Sequence, residues 1–189
     1  MTFRFERLEI PEVILVRAHV IADSRGVFIE NYRWSEYAAN GIAEPFVQDN
    51  FSTSTRGVLR GLHYQLLSNA QAKLVSVLRG EIYDVAVDIR RRSPTYARGV
   101  GLRISSGDHT LLYVPVGFAH GFQVLSEEAA VVYKVTREYA PEADRGIAWC
   151  DPQLGIDWPI PDAILSDKDS ALPVLRDAQN DFTFDEGSR

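Results

Sequence analysis

Two histidines, a lysine and a tyrosine stand out in this chain for the company they keep. His63 lies in Gly57-Val58-Leu59-Arg60-Gly61-Leu62-His63-Tyr64-Gln65, and His120 closes Pro115-Val116-Gly117-Phe118-Ala119-His120. An imidazole with an ordinary pKa of about 6.5 takes and returns protons near neutrality. Lys73 opens the largely apolar run Leu74-Val75-Ser76-Val77-Leu78, in a chain with 17 Arg and only 3 Lys. An ammonium held inside a fold is a ready partner for an oxyanion. Tyr133, in Val131-Val132-Tyr133-Lys134-Val135, adds a phenol near pKa 10. His19 and His109 belong to no motif and read as structural.

The elements that must position these groups are mostly strands. Residues 74–79, 81–90, 110–116, 121–125 and 130–137 are rich in β-branched and aromatic residues. Turn chemistry separates them: Ser105-Ser106-Gly107-Asp108, Pro115-Val116-Gly117 and Ser126-Glu127-Glu128. One helix is expected over 34–40, stopped by Gly41, and the tail from 151 reads as irregular with a short helix. Many closely spaced strands predict a sandwich, jelly roll or barrel. Arg79-Gly80 reads as a two-residue hairpin turn that pairs Val77 with Ile82, Val75 with Asp84 and Lys73 with Ala86. Lys73, Val75, Val77, Ile82, Asp84 and Ala86 then share one face, with Lys73 and Asp84 in salt-bridge reach. The opposite face, with Leu74, Leu78, Tyr83, Val85 and Val87, is also apolar and demands cover from a second layer or a subunit.

Composition bounds the possibilities. At 189 residues the chain is one domain by length, with 46% hydrophobic and 24% charged residues. A net charge of −6 argues against coating a nucleic-acid backbone, and Arg90-Arg91-Arg92 reads as a solvated loop at a strand end. A nucleotide ligand stays open, because a few placed arginines hold a diphosphate. Cys150 is the one cysteine, which rules out an intrachain disulfide and a cysteine zinc cluster. Charges at Arg4, Glu6 and Arg7 interrupt any signal-peptide core, and no apolar run reaches the roughly 18 residues of a membrane helix. The expectation is a cytoplasmic protein with no membrane partner.

The segment from Gly57 through His63 to Gly80 resembles the first cupin motif. Pro115, Gly117 and His120 resemble the second. Gln65 stands where the first motif has its second histidine, Lys73 where it has a glutamate, and Val124 where the second motif has asparagine. A metal-binding cupin needs about three histidines and a carboxylate around the cation. An ammonium in place of the carboxylate removes a ligand and repels a divalent ion, so no metal is expected, and a cupin dioxygenase is disfavoured.

Six strings in order carry a more specific resemblance: Asp23-Ser24-Arg25-Gly26, Gln48-Asp49-Asn50, Val58-Leu59-Arg60-Gly61-Leu62-His63, Phe118-Ala119-His120-Gly121-Phe122, Gly155-Ile156-Asp157-Trp158-Pro159 and Ser166-Asp167-Lys168-Asp169. Over about residues 5–175 the chain resembles the dTDP-4-dehydrorhamnose 3,5-epimerase family, which acts on dTDP-4-dehydro-6-deoxy-D-glucose. The resemblance implies an all-β, cupin-type jelly roll with a few short peripheral helices. Its core is expected over about 20–140 and its irregular tail over 151–189. It also implies a homodimer and no cofactor.

By the same resemblance His63 is the base, Asp169 the carboxylate that orients it, Lys73 the enolate's partner and Tyr133 the acid on the opposite face. Arg25 and Arg60 are similar to diphosphate contacts. Gln48 and Asn50 are similar to sugar or nucleotide hydrogen-bonding positions, Glu30 to a nucleotide contact and Lys168 to a ligand-side position. Tyr139 resembles a ring that stacks on thymine, with plain packing as its alternative. His120 resembles a substrate contact, with a role in positioning Lys73 or His63 as its alternative. Asp144 departs from the family's usual glutamate. Exchanged N-terminal strands would carry Arg25, Phe28 and Glu30 to the neighbouring subunit's site. A relative that epimerises C3 alone keeps the same His, Lys and Tyr, and a non-catalytic nucleotide-sugar binder is the further alternative.

Overall fold

The structure is a computed structural model that describes residues 2–185; the last four residues of the expected tail lie outside it. Thirteen strands form among these residues: β1 (Phe3–Arg7), β2 (Ile14–Ala18), β3 (Val20–Asp23), β4 (Gly26–Ile29), β5 (Gln48–Thr55), β6 (Leu59–Gln65), β7 (Lys73–Arg79), β8 (Glu81–Asp88), β9 (Gly99–Ser105), β10 (Thr110–Val114), β11 (Phe118–Val124), β12 (Glu128–Val135) and β13 (Asp144–Gly146). Two short helices join them, α1 (Trp34–Ala39) and α2 (Asp167–Ser170).

The strands make a six-stranded sheet, β1-β2-β10-β7-β12-β5, and a five-stranded sheet, β13-β6-β11-β8-β9, with antiparallel pairing throughout. The two pack face to face as a jelly roll, as expected. They also take in β1 and β2 ahead of residue 20 and β13 beyond 140. The hairpin β3–β4 stands apart as a two-stranded ribbon.

β7 and β8 are not a hairpin. β7 pairs with β10 and β12, whereas β8 pairs with β11 and β9, so Gly80 carries the chain from one sheet to the other. Alternation still sorts the faces as the sequence does. Val75, Val77, Ile82 and Ala86 meet in one core cluster between the sheets, facing across the sandwich instead of lying side by side. For the same reason Lys73 and Asp84 form no ion pair; the Asp84 carboxylate takes His120 as its partner.

The outer faces are covered by the chain itself. Leu74 and Leu111 pack with Phe3, Ile14, Val16, Tyr37 and Ile42, where α1 and the loop after it lie over the six-stranded sheet. On the other side Leu154, Leu175, Ala178 and Phe182 of the tail cover Val85, Val87, Ile89 and Ala119. Arg90 is not the solvated residue expected of Arg90-Arg91-Arg92. It pairs with buried Asp88 and with Glu12, and its guanidinium lies 4.8 Å and 5.0 Å from the ring centres of Phe118 and Phe184. Arg91 and Arg92 are exposed, as expected.

Gly80 has φ +80°, and a Cβ there would lie 2.2 Å from the Glu128 carbonyl oxygen. A side chain at this sheet change therefore meets both backbone strain and backbone overlap. Gly80→Ala should lower stability by about 2–4 kcal/mol. In urea this reads as an earlier midpoint with unchanged slope; an unmoved midpoint would show that the crossing tolerates a side chain.

Candidate active site

The inner face of the sandwich turns polar where β5, β6, β7, β11 and β12 meet. There Asn50, Arg60, His63, Lys73, His120, Tyr133 and Asp169 line a cavity of about 410 Å³. A second lobe of about 210 Å³ shares Asn50, His63, Lys73, Tyr133 and Lys168 as walls and adds Gln48, Tyr139 and Asp144.

Two residues on one strand, three apart, should point to opposite faces, yet Arg60 and His63 line the same cavity. The ladder between β6 and β11 explains this. His120 pairs with His63 and Phe122 with Arg60, so two residues of β6 stand opposite one of β11. Glycine permits the bulge. A Cβ on Gly61 would lie 2.5 Å from the Gly121 Cα, and one on Gly121 would lie 2.7 Å from the Arg60 carbonyl oxygen.

His63 Nε2 lies 2.7 Å from Asp169 Oδ1. Asp169 is buried on α2, whose N-cap Ser166 accepts a hydrogen bond from the Asp169 N–H. Burial alone would push the Asp169 carboxyl up. The His63 hydrogen bond and charge, the Gly61 N–H and Lys168 outweigh it and hold the group below its ordinary range. A carboxylate accepts, so Nε2 carries the hydrogen and the Nδ1 lone pair is free to act as a base.

Lys73 is only 8% exposed, and its Nζ donates to the His63 carbonyl oxygen at 3.2 Å. Burial pushes its pKa down to about 8, while Asp84 and Asp144 hold it up. Tyr133 reaches the cavity from β12; its pairing partners are Asn50 on β5 and Val75 on β7. Burial raises the phenol's pKa, Arg60 opposes that and Asp144 adds to it, so the hydroxyl keeps its proton near neutrality.

The other expected residues divide. Arg60 donates to Ser54 Oγ at 3.0 Å. Gln48 donates to Asn50 Oδ1 and accepts from the Tyr139 N–H. Tyr139 is half exposed at the second lobe, where its hydroxyl donates to Asp144 Oδ2. Lys168 pairs with the same carboxylate, so Asp144 engages both neighbours directly despite being shorter than the glutamate expected there. Arg25, Phe28 and Glu30 lie at none of these walls. Arg25 and Glu30 pair locally with Asp23 and Arg33, and Phe28 is 69% exposed on the ribbon.

Gln65 contributes to the wall of the second lobe, but its amide is engaged within the protein: it donates to the Asn69 carbonyl and accepts from the Ala140 N–H. With that side chain committed and Lys73 at the carboxylate position, the donor set does not fit a cupin metal. Among the described residues no group of three or more His, Cys, Asp or Glu could hold an ion. Sequence reasoning passed over Ser52, Phe122 and Ser166, which line the cavity, and missed Asp84 as the partner of His120. The polar alternation Gln48-Asn50-Ser52-Ser54 was the available signal for β5.

The sequence family described as dTDP-4-dehydrorhamnose 3,5-epimerase matches residues 7–177. The chain belongs to the dTDP-4-dehydrorhamnose 3,5-epimerase family. It is 52% identical over 174 residues to the dTDP-4-dehydrorhamnose 3,5-epimerase of Pseudomonas aeruginosa, covering 91% of this chain and 96% of that one. The dTDP-6-deoxy-D-glucose-3,5-epimerase of Legionella pneumophila, solved in complex with dTDP-4-keto-L-rhamnose, superposes with a TM-score of 0.89 at 46% identity, covering 92% of this chain and 93% of that one. A 3'-monoepimerase from Streptomyces bikiniensis, in complex with dTDP-quinovose, gives 0.85 at 32% identity, covering 90% and 87%. As a member of the 3,5-epimerase family the chain is an isomerase of dTDP-rhamnose biosynthesis. No helix among the described residues is long and apolar enough to cross a membrane.

The Asp169 shift has a sign that can be measured. A carboxyl whose folded pKa is below its unfolded value adds stability above the unfolded value and loses it as pH falls through the folded one. Asp169→Asn should therefore unfold at lower urea than the parent at pH 7, and the gap should shrink below about pH 4. A gap that is the same at both pH values would make the side chain's role steric.

Proposed function

We propose that this chain inverts C3 and C5 of dTDP-4-dehydro-6-deoxy-D-glucose, giving dTDP-4-dehydro-L-rhamnose, by removing and redelivering protons beside the 4-keto group. The observation that carries this is the placement of His63 with Asp169 on the five-stranded-sheet side of the cavity and Tyr133 on the six-stranded sheet. Inversion needs a base on one face of a carbon and an acid on the other. His63 Nδ1 takes the proton, and the C–H electron pair moves to make the ketone oxygen an enolate. The buried Lys73 ammonium holds that oxygen. Tyr133 gives its phenolic proton to the opposite face, the enolate collapses to the ketone, and solvent restores both groups. Nothing is oxidised or reduced, so the residues present complete the cycle without a redox cofactor.

Arg60, Gln48, Asn50 and Lys168 are proposed to hold the diphosphate and nucleotide, with Tyr139 as the stacking platform beside Asp144 and His120 as a sugar contact. The assembly proposed is a homodimer. Its support is the ribbon β3–β4, which leaves Ile21, Val27 and Phe28 more than half exposed on a segment far in function from its own cavity. Pairing with a neighbouring copy would cover that surface and bring Arg25, Phe28 and Glu30 to the neighbour's nucleotide. One cysteine in the chain fits a reducing, cytoplasmic setting.

Incubation with the 4-dehydro sugar nucleotide in D₂O, followed by NMR, should show deuterium at both C3 and C5. Label at C3 alone would make the chain a monoepimerase. His63→Ala should abolish exchange at both carbons with nucleotide binding retained. Lys73→Ala should lower turnover about 10²–10³-fold, and Tyr133→Phe should impair epimerisation more than binding; equal losses would make Tyr133 a binding residue.

Sedimentation equilibrium should give twice the chain mass. Arg25→Ala should raise KM for the sugar nucleotide without changing the mass. A monomer with full activity would overturn the exchanged-ribbon assembly.

A further inference from the structure

At the cavity wall lies a second histidine–carboxylate pair, whose carboxylate has no part in the proton transfers as drawn. His120 Nε2 is 2.8 Å from Asp84 Oδ1. In the ladder between β8 and β11, His120 stands opposite Ala86 and Asp84 opposite Phe122. The two side chains are therefore diagonal neighbours on the same inner face. Asp84 is fully buried and His120 nearly so. The second oxygen, Asp84 Oδ2, is buried without a hydrogen-bond partner, a costly arrangement for a purely structural carboxylate.

The ring on the other side of this pair faces the cavity, and its Nδ1 has no hydrogen-bond partner in the protein among the described residues. Burial pushes the His120 pKa down, and Lys73 and His63 push the same way against Asp84, so the ring is neutral at pH 7. A neutral imidazole has one N–H and one lone pair, and which nitrogen holds which is decided by the partners. A carboxylate can only accept, which places the hydrogen on Nε2.

We infer that Asp84 is a positioning residue for the epimerisation: it fixes His120 with the hydrogen on Nε2, so that the Nδ1 lone pair faces the cavity as acceptor for a ring hydroxyl of the sugar. The inference rests on the cavity being the sugar's site. An acceptor fixed in this way discriminates strongly against an analogue that lacks the hydroxyl, since a buried lone pair is then left unpaired.

The test has an arm that needs no substrate. In protein labelled with ¹⁵N-histidine, two-bond ¹H–¹⁵N spectra at pH 7 should show His120 as the Nε2–H form; the Nδ1–H form or a doubly protonated ring would overturn the inference. In Asp84→Asn the amide can donate or accept, and the single form should give way to a mixture or to Nδ1–H. The kinetic arm asks whether Asp84 acts through His120. Asp84→Asn should lower kcat/KM about tenfold to a hundredfold, the scale of one hydrogen bond to a charged group. Because Asp84 also helps keep Lys73 charged, the comparison is made at pH 6, well below the Lys73 pKa of about 8. There the double variant with His120→Gln should be no slower than His120→Gln alone, whereas independent, multiplying losses would overturn the inference. If Asp84→Asn does not fold, the parent spectrum still decides the tautomer. Failure of the functional proposal looks different: the parent itself would exchange no deuterium, whatever form His120 takes.

Discussion

A single buried cation organises the interior of this protein. Lys73 sits almost without solvent at the start of β7, between two sheets whose common core is largely apolar. A lone charge in such a place would shed its proton or unfold the site. It persists because the surroundings answer it: a carbonyl from β6 accepts from Nζ, and carboxylates on β8 and β13 act on it from two sides. Each compensating group then constrains the next. Asp84 turns toward His120, and Asp144 draws Lys168 and with it the helix that holds Asp169. The chemistry and the polar packing are one network with the ammonium at its centre.

A cavity lined by charge is a loss to the core, and the fold offsets it outside the sandwich. The interior between the sheets stays apolar only where the cavity does not reach. Two further clusters, one under the N-terminal strands and α1 and one under the C-terminal tail, bury large side chains on the outer faces. At about 25 cal/mol per Å² of apolar area removed from water, such layers counter the polar wall between the sheets. The irregular tail is thus structural cover as well as the carrier of Asp169.

How much of this could be read in the sequence follows from what alternation encodes. Period two tells which face a side chain takes and nothing about which strand lies beside it. Lys73, Val75, Val77, Ile82, Asp84 and Ala86 were therefore placed on one interior correctly, while the hairpin that would join them was wrong. β5 escaped notice because its buried side is Gln48, Asn50, Ser52 and Ser54, and hydrophobic periodicity finds only strands that bury apolar residues. β6 hid its arrangement in a bulge, since Arg60 and His63 share a wall only through the extra residue at Gly61. Asp169 and Lys168 lie about a hundred residues from His63, and only the family resemblance linked them to it. Arg25, Phe28 and Glu30 lie apart from the cavity within one chain, and only the family resemblance linked them to a site.

The failed hairpin explains more than a success there would have. Had Arg79-Gly80 closed a simple turn, Lys73 and Asp84 would stand on the same wall as an ion pair, each neutralising the other at short range. By sending the chain across to the second sheet, Gly80 leaves them on opposing walls. The carboxylate then helps keep the lysine charged without occupying its hydrogen bonds, and Lys73 Nζ keeps donor capacity beyond the His63 carbonyl, which the proposed reaction would direct at the enolate oxygen. The same crossing sets Tyr133 on the sheet opposite His63, which is the relation that inversion at carbon requires. A glycine with a positive φ, outside the cavity lining, thus supports the two-sidedness on which the proposed inversion rests.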